Sequence, residues 1–197
     1  MYKRQVLTFG AAHTLAGRGR VYIRTINNGH IAPGSSATPI GQIELAAAAN
    51  LTMTPTSNVD IEIAGTGAAN ADRITGDRII ALDGKLNVSR INGYGANNGD
   101  VWTIISGSSV TGTFSDVTLP TPTNGSSFRV DYFPNRVNIS VICYADINQD
   151  GGVDGADVQV FFDLWEAGDF LADVNNDGGV DGADVGDFFR FWEAGAC

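Results

Sequence analysis

Cysteine, histidine and methionine each occur only twice in these 197 residues, and Lys and Arg together number 12. Two cysteines cannot build the multi-bridge framework of a small secreted scaffold. The two histidines, His13 and His30, both lie in glycine-rich N-terminal sequence, and no Ser-His-Asp or Cys-His arrangement can be composed from them. A formal net charge of −10 argues against a nucleic-acid partner, whose phosphates demand a basic face. No stretch is long and apolar enough to cross a membrane as a helix. Met1-Tyr2-Lys3-Arg4-Gln5 is basic, but Leu7–Leu15 is broken by Gly10 and His13, so no apolar signal-peptide core follows it.

What is present is concentrated at the C-terminal end. Ala145–Gly168 and Ala172–Gly195 are two copies of one unit, 27 residues apart and identical at 18 of 24 positions. Each opens with D-x-N-x-D-G-x-x-D-x-x-D, oxygen donors at the spacing of a calcium loop. Asp146, Asn148, Asp150, Asp154 and Asp157 occupy loop positions 1, 3, 5, 9 and 12, and Asp173, Asn175, Asp177, Asp181 and Asp184 repeat them. Alternate residues can face one centre only if the chain wraps tightly, and Gly151 and Gly178 at position 6 allow that turn. Gly152 and Gly179 at position 7 would offer backbone carbonyls. Carboxylate and amide oxygens without His or Cys favour Ca²⁺ over zinc or copper, and so many fixed donors suit Mg²⁺ poorly. Two Ca²⁺ ions are therefore expected.

Each loop is followed by V-x-x-F-F-x-x-W: Val158, Phe161, Phe162 and Trp165, then Val185, Phe188, Phe189 and Trp192. The i, i+3, i+4, i+7 spacing predicts one apolar face of a helix that ends near Gly168 or Gly195. These stripes are expected to pack the two helices on each other, with part of the surface left for a partner. The segment from Tyr144 onwards holds 13 of the 22 acidic residues and, in Arg190, one of the 12 basic ones. A segment this short commonly needs metals or disulfides, and two Ca²⁺ ions would relieve part of its self-repulsion. Cys143 and Cys197 bracket it, and a two-fold repeat would bring its ends together. A disulfide there would close a loop of about 55 residues and contribute roughly 4 kcal/mol, implying an oxidising compartment. Two separate thiols, or a terminal cysteine used for attachment, are the alternatives.

The paired loop–helix units resemble a dockerin, the calcium-folded module that plugs an extracellular protein into a cohesin. Aspartate at position 12 and the lack of a helix before each loop belong to that likeness. More narrowly, G-G-V-D-G-A-D-V and W-E-A-G in both copies resemble the bacterial dockerins described as GC-type, although the chain ends Gly195-Ala196-Cys197 instead of Gly-Cys. The resemblance implies two bound Ca²⁺, location outside a bacterial cell or on its surface, and anchoring to a cohesin-like or other scaffold protein. Positions 10 and 11 are Gly155-Ala156 and Gly182-Ala183, so a cohesin partner is implied by the family and not by these residues.

Residues 1–142 carry a different pattern, and the chain is expected to divide into 1–142 and 143–197. Short alternating apolar runs separated by Gly, Asn and Asp predict an all-β region: Val21–Ile26, Gln42–Leu45, Asn58–Ile63, Arg78–Leu82, Lys85–Ile91, Val101–Ile105, Phe128–Phe133 and Arg136–Val141. The Ala46–Ala49 stretch is not expected to be helical. The pattern alone admits either a sandwich or a solenoid. Asn28-Gly29-His30-Ile31-Ala32-Pro33-Gly34 is similar to a motif of autotransporter-associated β-helix proteins, and that resemblance implies a parallel β-solenoid with residues about 84–141 as its terminal cap. The chain is then expected to be the C-terminal part of a longer secreted protein.

Catalysis is not expected within these residues. Glu44, Asp60, Glu62, Asp72, Asp77, Asp83, Asp100, Asp116 and Asp131 are scattered, whereas a glycosidase needs two carboxyls about 5–10 Å apart. Asp60 and Glu62 would share a strand face, and Arg73, Arg78 and Lys85 could form a basic stripe on a lyase groove but read equally well as solvated strand residues. Two functions remain: a non-catalytic surface protein anchored through calcium loops, or part of a polysaccharide-degrading enzyme, hydrolase or lyase, tethered in the same way and able to meet glycan.

Overall fold

The computed structural model describes residues 5–47, 49–121, 126–175 and 177–195. Its first part is mostly β and winds as a solenoid of about four turns, each turn contributing three short strands. The first turn holds β1 (Val6–Phe9), β2 (Thr14–Gly17) and β3 (Gly19–Val21). The second holds β4 (Arg24–Asn27), β5 (His30–Pro33) and β6 (Gln42–Leu45). The third holds β7 (Leu51–Met53), β8 (Asn58–Ile63) and β9 (Arg73–Gly76), and the fourth β10 (Ile79–Ala81), β11 (Lys85–Arg90) and β12 (Val101–Ser106). After them come β13 (Ser109–Thr111), β14 (Asp116–Thr118), β15 (Ser126–Phe133) and β16 (Arg136–Cys143). Two helices, α1 (Gly155–Ala167) and α2 (Gly182–Ala194), complete the chain. No helix among the described residues is long and apolar enough to cross a membrane.

Three sheets run along the solenoid in the orders β1-β4-β7-β10-β13, β2-β5-β8-β11-β14 and β3-β6-β9-β12-β16-β15. Neighbouring turns pair in parallel, whereas β16 meets β12 antiparallel. The sandwich alternative is therefore excluded. Alternating runs become stacked ladders, because each inward residue meets its counterpart one turn away. Leu15, Ile31, Val59 and Leu86 form one such ladder, and Ile43, Ile74 and Ile105 another. All but Leu15 are sealed from water, with Ile31, Val59, Leu86, Ile74 and Ile105 at 1% exposure or less. Burying each such side chain contributes about 1.5–3 kcal/mol before chain entropy is charged against it. A register shift between Thr103 and Ile105 turns both Ile104 and Ile105 inward, against strict alternation.

Two sequence expectations change. Val21–Ile26 is not one strand: it breaks at Tyr22-Ile23, so that β3 and β4 belong to different sheets of successive turns. The parallel stacking also runs beyond residue 84, through β11 and β12 to Thr118 in β14. Only β15 and β16, joined by a two-residue turn at Pro134-Asn135, depart from the coil pattern. In the Ala46–Ala49 stretch, Ala46, Ala47 and Ala49 are not helical, as expected, and Ala48 lies outside the described residues.

The corners between first and second strands are short and pack backbone on backbone. A Cβ on Gly29 would lie 2.4 Å from the carbonyl oxygens of Gly10 and His13, and one on Gly84 would lie 2.3 Å from that of Ser57. Beside them Asn27 closes on Gly29 through both side-chain atoms, and Ser57 Oγ donates to the Asn27 carbonyl at 2.6 Å. In the second, third and fourth turns the passages from second to third strand are longer, residues 34–41, 64–72 and 91–100.

The chain divides into two compact units. Met1–Ala96, Val101–Pro120 and Val130–Ser140 make the solenoid unit, and Asn97–Asp100, Thr121–Arg129 and Val141–Cys197 make the second, which contains both helices.

Gly84 sits at φ +77°, a conformation only glycine adopts without cost. Gly84→Ala should destabilise the solenoid by at least about 2 kcal/mol, since strain and the clash act together. The urea midpoint of the β-sheet circular-dichroism signal measures this, and an unchanged midpoint would contradict it.

Candidate metal centres

The two acidic loops occupy 146–157 and 173–184, and both end in the first turn of a helix. At position 6, Gly151 and Gly178 take φ +92° and +93°, the turn that lets each loop close. Position 1 then folds inward. Asp146 is 5% exposed, and its Oδ2 accepts from Gly151 N at 3.2 Å. Asp173 is 7% exposed, and its Oδ2 accepts from Gly178 N at 3.0 Å.

Position 12 is sealed completely. Asp157 accepts from Asn148 N at 3.2 Å on one oxygen and from Asp154 N at 2.9 Å on the other. Asp184 accepts from Val174 N and Asn175 N at 2.8 and 3.2 Å, and from Asp181 N at 2.8 Å. The bond to position 9 is half of a capping box. Asp154 and Asp181 are the N-caps of α1 and α2, and their side chains accept from helix amides in return. The aspartate that ends each loop and the aspartate that starts each helix are thus bonded to one another's backbone.

Positions 3 and 5 are more open and bond locally. Asn148 Oδ1 accepts from Asp150 N at 2.9 Å and its Nδ2 donates to Asp150 Oδ2 at 3.0 Å. Asn175 and Asp177 repeat this at 2.8 and 3.2 Å. Asp150 and Asp177 each accept from the position 7 amide, Gly152 N at 2.9 Å and Gly179 N at 3.0 Å. Every donor expected from the sequence lies in its loop, but the carboxylates are turned towards backbone amides. Among the described residues no three His, Cys, Asp or Glu side chains are gathered closely enough to hold an ion as they stand.

A test of fit comes from what remains unsatisfied. Asp146 Oδ1 is buried and has no hydrogen-bond partner. An orphaned buried acceptor costs about 1–3 kcal/mol, and more if charged. The one cation of the repeats, Arg190, is occupied with Asp187 at 2.9 Å and lies over the Phe191 ring. Among the described residues of the repeats, neither loop therefore has a side-chain counter-charge of its own. An all-oxygen donor set, one orphaned inward carboxylate oxygen and the missing counter-charge all fit a hard divalent cation such as Ca²⁺.

The helices carry the loops on a shared aromatic core. Phe161 and Phe188, both fully buried, stack with ring centroids 4.1 Å apart and planes 7° from parallel. Val158, Phe162, Trp165, Val185, Phe189 and Trp192 pack around them, so the two stripes read in the sequence do face each other. Gly168 and Gly195 end the helices at φ +63° and +58°. The indole groups reach further than the stripe requires: Trp165 Nε1 donates to Asp181 O and Trp192 Nε1 to Asp154 O, each at 2.8 Å. Sequence spacing gave no sign of these bonds. Cys143 is buried, and its sulfur accepts from Asp146 N at 3.4 Å. Its expected partner, Cys197, lies outside the described residues.

The solenoid brings three carboxylates together that the sequence had scattered. Asp60, Glu62 and Asp72 line one depression of about 480 Å³, with Ser35, Ser36 and Ser89. Asp60 is held by Asn87 Nδ2 at 2.8 Å and lies 3.4 Å from His30 Nδ1. Asp72, buried at the corner before β9, accepts from Gly41 N at 2.6 Å and Glu62 N at 3.0 Å. Burial pushes its carboxyl up to about 6, with those two amides opposing.

Asp72 therefore holds its proton more tightly folded than unfolded, where a carboxyl titrates near 3.9. The folded state gains from that proton below about pH 4 and loses the gain as pH rises through about 6, by up to roughly 3 kcal/mol. Relative to Asp72→Asn, the wild-type solenoid should lose stability between pH 4 and 7. Urea midpoints measured across that range test it, and parallel profiles would refute it.

No protein-family model matches this sequence, and no curated protein matches it either.

Proposed function

We propose that the second unit is a calcium-folded docking module of the dockerin type, carried by an extracellular β-solenoid and serving to anchor it without catalysis. The observation that carries this reading is the duplicated oxygen loop with Asp146 Oδ1 buried and unpartnered. Asp146, Asn148, Asp150, Asp154 and Asp157, with the Gly152 carbonyl, would hold one Ca²⁺. Asp173, Asn175, Asp177, Asp181 and Asp184, with the Gly179 carbonyl, would hold the second. When bound, the ions supply counter-charge to carboxylates that have little other compensation.

The chain's own residues do the rest. Asp157 and Asp184 tie each loop to the amides of its opening and closing residues, so an ordered loop fixes the start of α1 or α2. The stacked Phe161 and Phe188 hold the helices together, and the outer surfaces of the pair, exposed Gly155-Ala156 and Gly182-Ala183 among them, are free to meet a partner. The partner class is a cohesin-like or other surface scaffold protein of a bacterium. Outside cells calcium is millimolar, so loops of ordinary extracellular affinity stay filled and act as structure, not as a sensor. A Cys143–Cys197 disulfide suits that compartment and would fasten the unit's two ends.

One observation favours the second reading, a protein acting in polysaccharide breakdown. The depression lined by Asp60, Glu62 and Asp72 combines carboxylates with a group that titrates near 6, a useful range for a general acid. Reducing-sugar release from neutral glycans, abolished by Asp72→Asn, would support it.

The docking reading is tested by capture of extracellular and envelope proteins on the intact chain, in calcium and then in chelator. A scaffold protein retained only with calcium supports it, and equal retention in both conditions would overturn it. Asp146→Ala combined with Asp173→Ala should remove most of the helical signal at 222 nm in millimolar calcium. A signal equal to wild type would show that the loops fold without the ions.

A further inference from the structure

The bonds from Trp165 and Trp192 cross between the repeats, and they do so reciprocally. Trp165 belongs to the first helix and donates to Asp181, position 9 of the second loop, while Trp192 belongs to the second helix and donates to Asp154, position 9 of the first. Both acceptors are main-chain carbonyls of residues whose side chains cap a helix and also stand among the loop donors. A packing tryptophan has no need of such a target. Trp165 sits edge-on to Phe162 at 6.4 Å and Trp192 edge-on to Phe189 at 6.1 Å, so aromatic contact alone would place both rings. The N–H groups add direction: each indole pins the residue where the other loop turns into its helix.

We infer that Trp165 and Trp192 are positioning residues that couple the two calcium loops, so that filling one raises the affinity of the other. The inference rests on the calcium reading proposed above. The path is short and physical. Ordering the first loop fixes Asp154 and Asp157, and through their capping box fixes the start of α1. A fixed α1 holds Trp165, which holds the Asp181 carbonyl and hence the turn from the second loop into α2. The same chain of contacts runs back through Trp192. Part of the ordering cost of each loop is then met once for both, which is positive cooperativity without any change of fold. Coupling of this kind ranges over about 5- to 150-fold in affinity, and two hydrogen bonds place this case near the lower end, about tenfold. By linkage the effect is the same in either direction.

The test compares wild type with Trp165→Phe, Trp192→Phe and the double variant, each as the full chain. Phenylalanine keeps a ring on Phe162 or Phe189 and removes the N–H donor together with one of the two fused rings. Calcium titration by calorimetry gives stoichiometry and the two stepwise constants, and indole fluorescence follows the clamps directly, over a constant background from Trp102. Wild type should bind two ions, the second about tenfold more tightly than independent equivalent sites allow. The double variant should still bind two, with the stepwise constants at the statistical ratio, and each single variant should fall between. Helical signal at saturating calcium establishes that the variants are folded. If the double variant does not fold, the single variants, which keep one clamp, carry the comparison.

Asp146→Ala provides a second arm. It should weaken the remaining site about tenfold in wild type and leave it unchanged in the double tryptophan variant. Two ions bound by the double variant with wild-type cooperativity would overturn the coupling while leaving the calcium reading intact. No calcium bound by wild type would overturn the calcium reading and the coupling together.

Discussion

Burying an ionised carboxylate costs several kcal/mol unless hydrogen bonds or counter-charge replace its lost water. The second unit buries four, Asp146, Asp157, Asp173 and Asp184, in the stretch from Tyr144 onwards, where Arg190 is the one basic residue. Backbone amides answer much of that cost, and they can do so only while the loops are wrapped, which requires glycine at position 6. Asp157 and Asp184 also complete the capping boxes of α1 and α2 with the N-caps Asp154 and Asp181, so loop closure and helix initiation are one event. The aromatic core, the helix orientation and the outward surface all follow from how these four charges are held.

The solenoid depends on a different economy. Its strands are three to eight residues long and would not persist alone, but those inside the stack are paired on both sides by turns of the same chain. Main-chain bonds run along the stack and aliphatic ladders fill the inside. Polar residues enter where the backbone turns: Asn27 and Ser57 satisfy corner amides and carbonyls that strand pairing cannot reach. Asp72 does the same at another corner and carries its charge at a cost, since burial raises its proton affinity.

The parts legible in the sequence are those fixed by local spacing. The Phe161 and Phe188 stripes are set by neighbours within a dozen residues and pack where the spacing placed them, whereas the carboxylates of the two loops are turned to backbone amides. Strands such as Asn58–Ile63, long enough to alternate, were equally visible. The misread portions involve partners a turn or a repeat away. Tyr22-Ile23 looks like strand interior because nothing local marks a solenoid corner without glycine. Parallel pairing through β11, β12 and β14 depends on contacts about 30 residues distant, so the end of the coils could not be placed from composition. Asp72 joins Asp60 and Glu62 only because the chain doubles back between β8 and β9. The tryptophan bonds span 16 and 38 residues, and an aromatic stripe explains those rings equally well without them.

The unequal corners of the solenoid have a consequence for how such a chain can change over evolutionary time. At Gly29 and Gly84 the turns touch so closely that even a methyl group has no room, so that edge admits neither insertion nor bulk. The opposite passages already differ in length, spanning 34–41, 64–72 and 91–100, while the ladders on either side keep their register. Novelty is thereby channelled to one flank. A lineage can lengthen or rewrite those passages, including the one beside Asp60, Glu62 and Asp72, and inherit the stacked frame unchanged.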